Sequence, residues 1–131
     1  MRILLDTNAY TEFRRGHAAM QTVIRKSERV CISLVVLGEL LAGFYRGQRL
    51  RHNLEDLERF LSSAYVTLLP MTRNTADRFG RIQTRLRAKG TPLPTNDIWI
   101  AAQALEHGLD LVSLDAHFSE VEGLAWIRPE A

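Results

Sequence analysis

The sequence predicts an α/β fold with a central parallel sheet, and three observations carry that expectation. Apolar runs such as Ile3-Leu4-Leu5, Val30-Cys31-Ile32 and Leu111-Val112 are short and lack polar alternation, as expected of strands covered on both faces. Longer stretches with apolar residues three and four apart separate them, so strands and helices alternate along the chain. Asp6 and Asp115 each close an apolar run, and parallel sheets collect ligands beyond the carboxyl ends of their strands.

Taken in order, Arg2 to Leu5 reads as a buried strand and Ala18 to Glu28 as a helix, followed by a short strand from Val30 to Ile32. Ser33 is placed to cap a helix reaching about Tyr45. Gly47 interrupts the pattern, and Leu50, Leu54, Leu57 and Leu61 resume it from Arg49 onward. Val66 to Leu69 is a strand ended by Pro70, and Thr72 to Lys89 a long helix stopped by Gly90 and the turn Thr91-Pro92-Leu93-Pro94. Thr95 or Asn96 is expected to cap the next helix, which ends near His107-Gly108. A strand from Leu111 to Leu114, a helical turn from Ala116 to Val121 and a last strand from Ala125 to Ile127 complete the chain. No repeat, low-complexity segment or linker divides it, so residues 1–131 are expected to form a single domain.

Composition narrows the function classes. With 46% hydrophobic and 24% charged residues the chain is ordinary globular protein and not disordered. Cys31 is its only cysteine, which excludes a disulfide framework or a cysteine-based zinc site and suits a small core residue. No basic-then-apolar leader precedes Ile3 and no apolar stretch is long enough to span a bilayer, so a cytoplasmic protein without a membrane anchor is expected. The net charge of +2 says little about nucleic acid, although only Lys26 and Lys89 of the 17 basic residues are lysines. Arginine's planar fork suits phosphate and carboxylate; GC-rich codon usage produces the same bias.

Four carboxylates carry the chemistry: Asp6, Glu39, Asp97 and Asp115. Taken singly, Asp6 and Asp115 could cap a turn or helix, and Asp97 could complement a helix dipole. Glu39 is harder to dismiss. It is the only charge between Arg29 and Arg46, and Val35, Val36, Ala42 and Gly43 surround it at helical spacing. Charge on such a face is expected to be buried and to serve more than stability. No lysine or arginine adjoins any of the four in sequence. Held within ~5 Å, each pair would repel by roughly 3 kcal/mol at an effective dielectric near 20. A bound divalent cation or raised pKa values would make that tolerable.

Other constellations are poorer. His17, His52, His107 and His117 lack metal-ligand spacing and read as surface or capping residues, although His117 follows Asp115 closely. No Gly-rich phosphate loop and no nucleophile elbow occur, so Thr7 and Ser113 are expected to hydrogen-bond to the site and not to act as nucleophiles. Arg78, Arg81 and Arg85 form a basic stripe, either solvated beside Asp77 or a contact for RNA phosphate or an acidic partner.

The segments Leu4-Leu5-Asp6-Thr7-Asn8, Ser33 with Glu39, Thr95-Asn96-Asp97-Ile98-Trp99-Ile100-Ala101-Ala102 and Leu111-Val112-Ser113-Leu114-Asp115-Ala116-His117-Phe118 closely resemble PIN-domain proteins, and within them the VapC-type toxins of toxin–antitoxin systems. The resemblance covers nearly the whole chain. It implies a three-layer α/β/α fold and an endoribonuclease dependent on Mg²⁺ or Mn²⁺. It places Asp6, Asp97 and Asp115 as metal ligands with Glu39 as the fourth catalytic carboxylate, and Thr7, Asn8, Asn96 and Ser113 as supporting groups. Ser113 stands where threonine is common in the family, which keeps the hydroxyl. Further implications are an RNA substrate, a small VapB-like antitoxin that blocks the site, and assembly as a homodimer or, with antitoxin, a heterotetramer or larger.

The residues themselves point to hydrolysis by activated water, since a cluster of Asp and Glu without His or Cys suits Mg²⁺. A phosphatase would require a second aspartate where Asn8 stands, and a phosphorelay receiver a lysine that neither Lys26 nor Lys89 is placed to supply. A housekeeping nuclease of the same type, or a non-catalytic binding module on the same scaffold, are the alternatives.

Overall fold

A computed structural model describes residues 1–130. Five parallel strands form one sheet in the order β3-β2-β1-β4-β5: β1 Arg2–Leu5, β2 Arg29–Ser33, β3 Val66–Leu69, β4 Asp110–Val112 and β5 Trp126–Ile127. The helices are α1 Thr7–Arg14, α2 Ala18–Lys26, α3 Leu34–Arg46, α4 Leu50–Leu61, α5 Arg73–Lys89 and α6 Thr95–His107, with a 3₁₀ turn at Ala116–Glu120. Successive strand residues face opposite sides of a sheet. Ile3, Leu4 and Leu5 are nonetheless all fully buried, as are Val30 and Ile32. Helices therefore cover both faces, and the three-layer α/β expectation holds.

Aromatic contacts fix the helices to one another. Tyr10 of α1 meets Phe60 of α4 edge-on with ring centroids 5.2 Å apart, and Phe79 of α5 stacks on Trp99 of α6 at 4.1 Å. Gln103, fully buried in α6, donates from Nε2 to the Pro70 carbonyl at 3.0 Å. Cys31 is a buried core residue, as its setting suggests.

Three local departures from the sequence reading matter for the site. Helix α1 is unanticipated, because Thr7, Asn8, Tyr10, Thr11 and Phe13 have modest helix propensity. Burial of Ala9 and Tyr10 and a side-chain cap from Asp6 stabilise it instead. Neither Thr95 nor Asn96 caps α6; the N-cap is Pro94, whose carbonyl receives the N–H groups of Asp97 and Ile98. Thr95 and Asn96 thus lie inside the first turn, leaving the Asn96 side chain free to point elsewhere. Strand β4 stops at Val112 and not at Leu114, because the chain turns away at Ser113. Elsewhere the boundaries shift only slightly, α2 ending at Lys26 and β2 extending to Ser33.

Ser33 is both the last residue of β2 and the N-cap of α3, its fully buried hydroxyl accepting from the Val35 N–H at 3.0 Å. Ser33→Ala is expected to cost about 1 kcal/mol of unfolding free energy and to leave the far-UV spectrum unchanged. Chemical denaturation measures this; no loss would show that α3 is anchored without its cap.

Candidate active site

The chain runs outward from β1 through β2 to β3 and then returns to the other side of β1 for β4. This reversal opens a crevice beyond the carboxyl ends of β1 and β4, which lie in register with Leu5 opposite Val112. Asp6 is the first residue past β1. Its N–H donates to the Val112 carbonyl at 3.3 Å, and its Oδ1 accepts from the Ala9 N–H at 2.8 Å. Ser113 is the first residue past β4, fully buried, with Oγ donating to Asp6 Oδ2 at 2.5 Å and accepting from the Asp115 N–H at 3.0 Å. One hydroxyl therefore joins two strand ends and holds the turn that carries Asp115.

The remaining carboxylates arrive on helices. Asp97 lies in the first turn of α6. Glu39 projects from α3, with Oε1 accepting from Thr7 Oγ1 at 2.6 Å and Oε2 from Asn96 Nδ2 at 3.3 Å. All four carboxylates line one cavity of about 450 Å³, together with Thr7, Asn8 and Asn96. Thr7 and Asn96 orient Glu39, Ser113 orients Asp6 and the Asp115 turn, and exposed Asn8 forms part of the wall.

Two expectations need correction. Glu39 is half-exposed and not buried. On the otherwise apolar helix α3, Glu39 is the residue whose side chain lines the cavity. His117, read as a surface or capping residue, stands between two carboxylates. Its Nε2 lies 2.9 Å from Asp97 Oδ2 and its Nδ1 3.1 Å from Asp115 Oδ1. Proximity to Asp115 in sequence was the only available signal; Asp97 is distant along the chain and comes close only through folding.

Electrostatically the cavity is short of positive charge. Among the described residues His117 is the only basic side chain within 4.0 Å of the four carboxylates. Burial pushes Asp6 up from 3.8 to about 6, opposed by the Ser113 and Ala9 hydrogen bonds and assisted by the charges of Asp97 and Asp115. Asp97 is also raised, by burial first and by Glu39 and Asp115, against the pull of His117. The donor set fits a hard divalent cation, being mostly carboxylate oxygen with solvent on one side for water ligands. Ligating atoms of Asp97, Asp115 and His117 already lie within 4.8 Å of one another.

The arginine stripe is elsewhere. Arg78 Nε donates to Asn74 Oδ1 at 3.3 Å, Arg81 Nε to Asp77 at 2.9 Å, and Arg85 lies 3.8 Å from Glu122. These arginines border a separate cavity of about 100 Å³ floored by Ile82, Leu86 and Leu105, not the carboxylate pocket.

Comparison with known proteins places this geometry among relatives. The sequence profile of the PIN domain matches residues 3–124. Ribonuclease VapC2 of Haemophilus influenzae is 32% identical over 132 aligned residues, covering 99% of this chain and 97% of the relative. The tRNA(fMet)-specific endonuclease VapC of Salmonella typhimurium is 30% identical over 99% of this chain and 97% of its own. A chain in the crystal structure of DNA-bound VapBC from Salmonella typhimurium superposes with a TM-score of 0.86, at 27% identity and 98% coverage of both chains.

The raised Asp6 value has a stability consequence of definite sign. Below 3.8 the carboxyl is protonated whether the chain is folded or unfolded; above about 6 it is ionised in both, and the folded state bears the whole penalty. That penalty is on the order of 3 kcal/mol. Metal-free Asp6→Asn protein should therefore melt above wild type at neutral pH, and the gap should close as the pH falls through 6 toward 3.8. Thermal melts in EDTA across that range test this. A gap independent of pH would show that Asp6 carries no such penalty.

Proposed function

The chain belongs to the PIN-domain family, and on that premise we propose that it is a metal-dependent endoribonuclease acting as the toxin of a toxin–antitoxin pair. The observation that carries this reading is the convergence of Asp6, Glu39, Asp97 and Asp115 on one cavity with a single imidazole as counter-charge. The relatives named as a ribonuclease and a tRNA endonuclease, each aligned over nearly the full chain, support RNA as the substrate. Residues 1–131 work as one domain in this reading.

Asp6, Asp97 and Asp115 would hold Mg²⁺ or Mn²⁺. When bound, such an ion polarises a phosphoryl oxygen and lowers the pKa of a coordinated water. Glu39 is suited to orient the attacking water and accept its proton. Thr7 and Asn96 fix both of its oxygens, yet each oxygen keeps acceptor capacity and the side chain lines the cavity. Ser113 keeps Asp6 in one orientation, so the ligand set is preorganised before RNA enters. With water and not the ribose 2′-OH attacking phosphorus, and the P–O3′ bond breaking so that O3′ leaves and takes up a proton, products would carry 5′-phosphate and 3′-hydroxyl ends.

The Salmonella VapBC assembly supports a small VapB-like antitoxin as the partner. An arginine from that partner could supply the missing counter-charge, while an apolar helix packs between α3 and α4. Two copies would associate as a homodimer or, with antitoxin, as a heterotetramer or larger. No described helix is long and apolar enough to cross a membrane, and we place the protein in the cytoplasm with its RNA. Arg78, Arg81 and Arg85 contribute to RNA or partner affinity and not to the chemical step.

Purified protein with Mn²⁺ should cleave RNA to 5′-phosphorylated products, EDTA should stop it, and Asp6→Asn should abolish cleavage without loss of fold. Full activity of a clean Asp6→Asn preparation would sink the mechanism. Expression of the wild type alone should arrest growth, with rescue by the neighbouring small reading frame; harmless expression would leave a nuclease without the toxin role. Replacing Arg78, Arg81 and Arg85 together by Ala should weaken RNA binding and its salt dependence, or loosen the antitoxin complex. Unchanged affinity for both would return the stripe to a solvated face.

A further inference from the structure

A second charged cavity, of about 310 Å³, lies between α1, the end of α3 and α4. Arg14, Arg49 and His52 border it, around Asp56. Asp56 is only 8% exposed, and it receives Arg14 at 3.1 Å, His52 at 3.1 Å and the Arg59 guanidinium. Burial works against its ionisation, but Arg14 and His52 prevail and hold it below the usual carboxylate range. One negative charge thus faces two guanidinium groups, leaving a positive surplus before His52 is counted. Arg49 adds to it, having no carboxylate within 4.0 Å among the described residues.

Tyr10 adds a buried polar group beside these cations. Its side chain is 2% exposed and lines this cavity, and among the described residues its hydroxyl has no hydrogen-bond partner. A buried hydroxyl left unpaired is costly, and Arg14 and Asp56 are close enough to influence its ionisation after burial itself. A negatively charged ligand in this cavity would neutralise the surplus cations.

Position selects among such ligands. Thr7 lines the carboxylate cavity, and Thr11, one helical turn on, lines the second and donates to the Thr7 carbonyl at 3.1 Å. From Thr7 to Arg14 the helix rises only ~10 Å. A single strand whose scissile phosphate sits among the carboxylates must lay its neighbouring phosphates along an adjacent wall. Phe44, half-buried at the edge, offers a face for a base. We propose that the Tyr10–Arg14–Arg49–His52 cavity is a phosphate subsite that holds the RNA strand beside the reacting position. The proposal rests on the ribonuclease reading.

The test uses Asp6→Asn protein as background, so that bound RNA persists, and a fluorescein-labelled single-stranded oligoribonucleotide. Arg49→Gln leaves every ion pair intact and should weaken binding severalfold. Arg14→Gln with Arg49→Gln should weaken it about tenfold, and the slope of log K against log salt should shrink by ~0.7 for each phosphate that is no longer neutralised. Melting curves of both variants control for folding. If wild type fails to cleave RNA with Mn²⁺, the ribonuclease reading falls whatever Arg49 does. If wild type cleaves but both variants keep affinity and salt slope, the subsite is wrong and the ribonuclease reading stands. Retained RNA affinity with abolished binding to an oligoglutamate peptide would reassign the cavity to an acidic protein partner and overturn the proposal.

Discussion

The Ser113 hydroxyl donates to Asp6 across the β1–β4 seam and accepts the Asp115 N–H; the rest of the site is arranged around this link. Ser113 is fully buried and its backbone is also engaged, its N–H donating to the Ile127 carbonyl and its carbonyl accepting from Trp126 Nε1. A residue tied at so many points cannot shift without moving β5 as well. Asp6 is thereby held at the mouth of the crevice although burial resists its charge. Removing the hydroxyl would leave Asp6 without a side-chain donor among the described residues.

Capping and ligation are not competing roles for these carboxylates. Asp6 caps α1, Asp115 caps the 3₁₀ turn through the His117 N–H, and Asp97 lies in the first turn of α6. Unpaired N–H groups at a helix start favour negative charge. Each aspartate therefore gains a modest stabilisation that partly offsets mutual repulsion. The structure can gather anionic groups in one place because three element starts converge there. Glu39 caps no element; the Thr7 and Asn96 side chains, each in the first turn of its own helix, hold it instead.

Positive charge is distributed unevenly around this centre. On α5, Arg78, Arg81 and Arg85 face an amide or carboxylates of their own surroundings, Asn74, Asp77 and Glu122. Around Asp56 the balance is reversed, with Arg14, Arg59 and His52 converging on one carboxylate. Net charge cannot distinguish the two surfaces. The difference comes from which side chains the fold places opposite one another.

Much of the fold and site was legible in the chain alone. Unalternated apolar runs marked the parallel strands, and Asp6, Asp97 and Asp115 stood at element boundaries where their position along the chain identified them. Such signals are local: periodicity, a capping residue, a charge interrupting an apolar stretch. Helix α1 escaped because most of its residues, Tyr10 among them, are weak helix formers held helical by burial and by the Asp6 cap, which propensity does not encode. Glu39 sits among apolar residues of α3 as the sequence suggested, but only the packing of α3 shows that its own side chain reaches open space. His117 meeting Asp97, and Arg14 meeting Asp56, depend on residues far apart in sequence. Those meetings were decided by tertiary structure, since sheet order sets β4 against β1 and helix packing sets α4 against α1. Residue type and spacing determine what each segment is; only the folded chain determines which charges face each other.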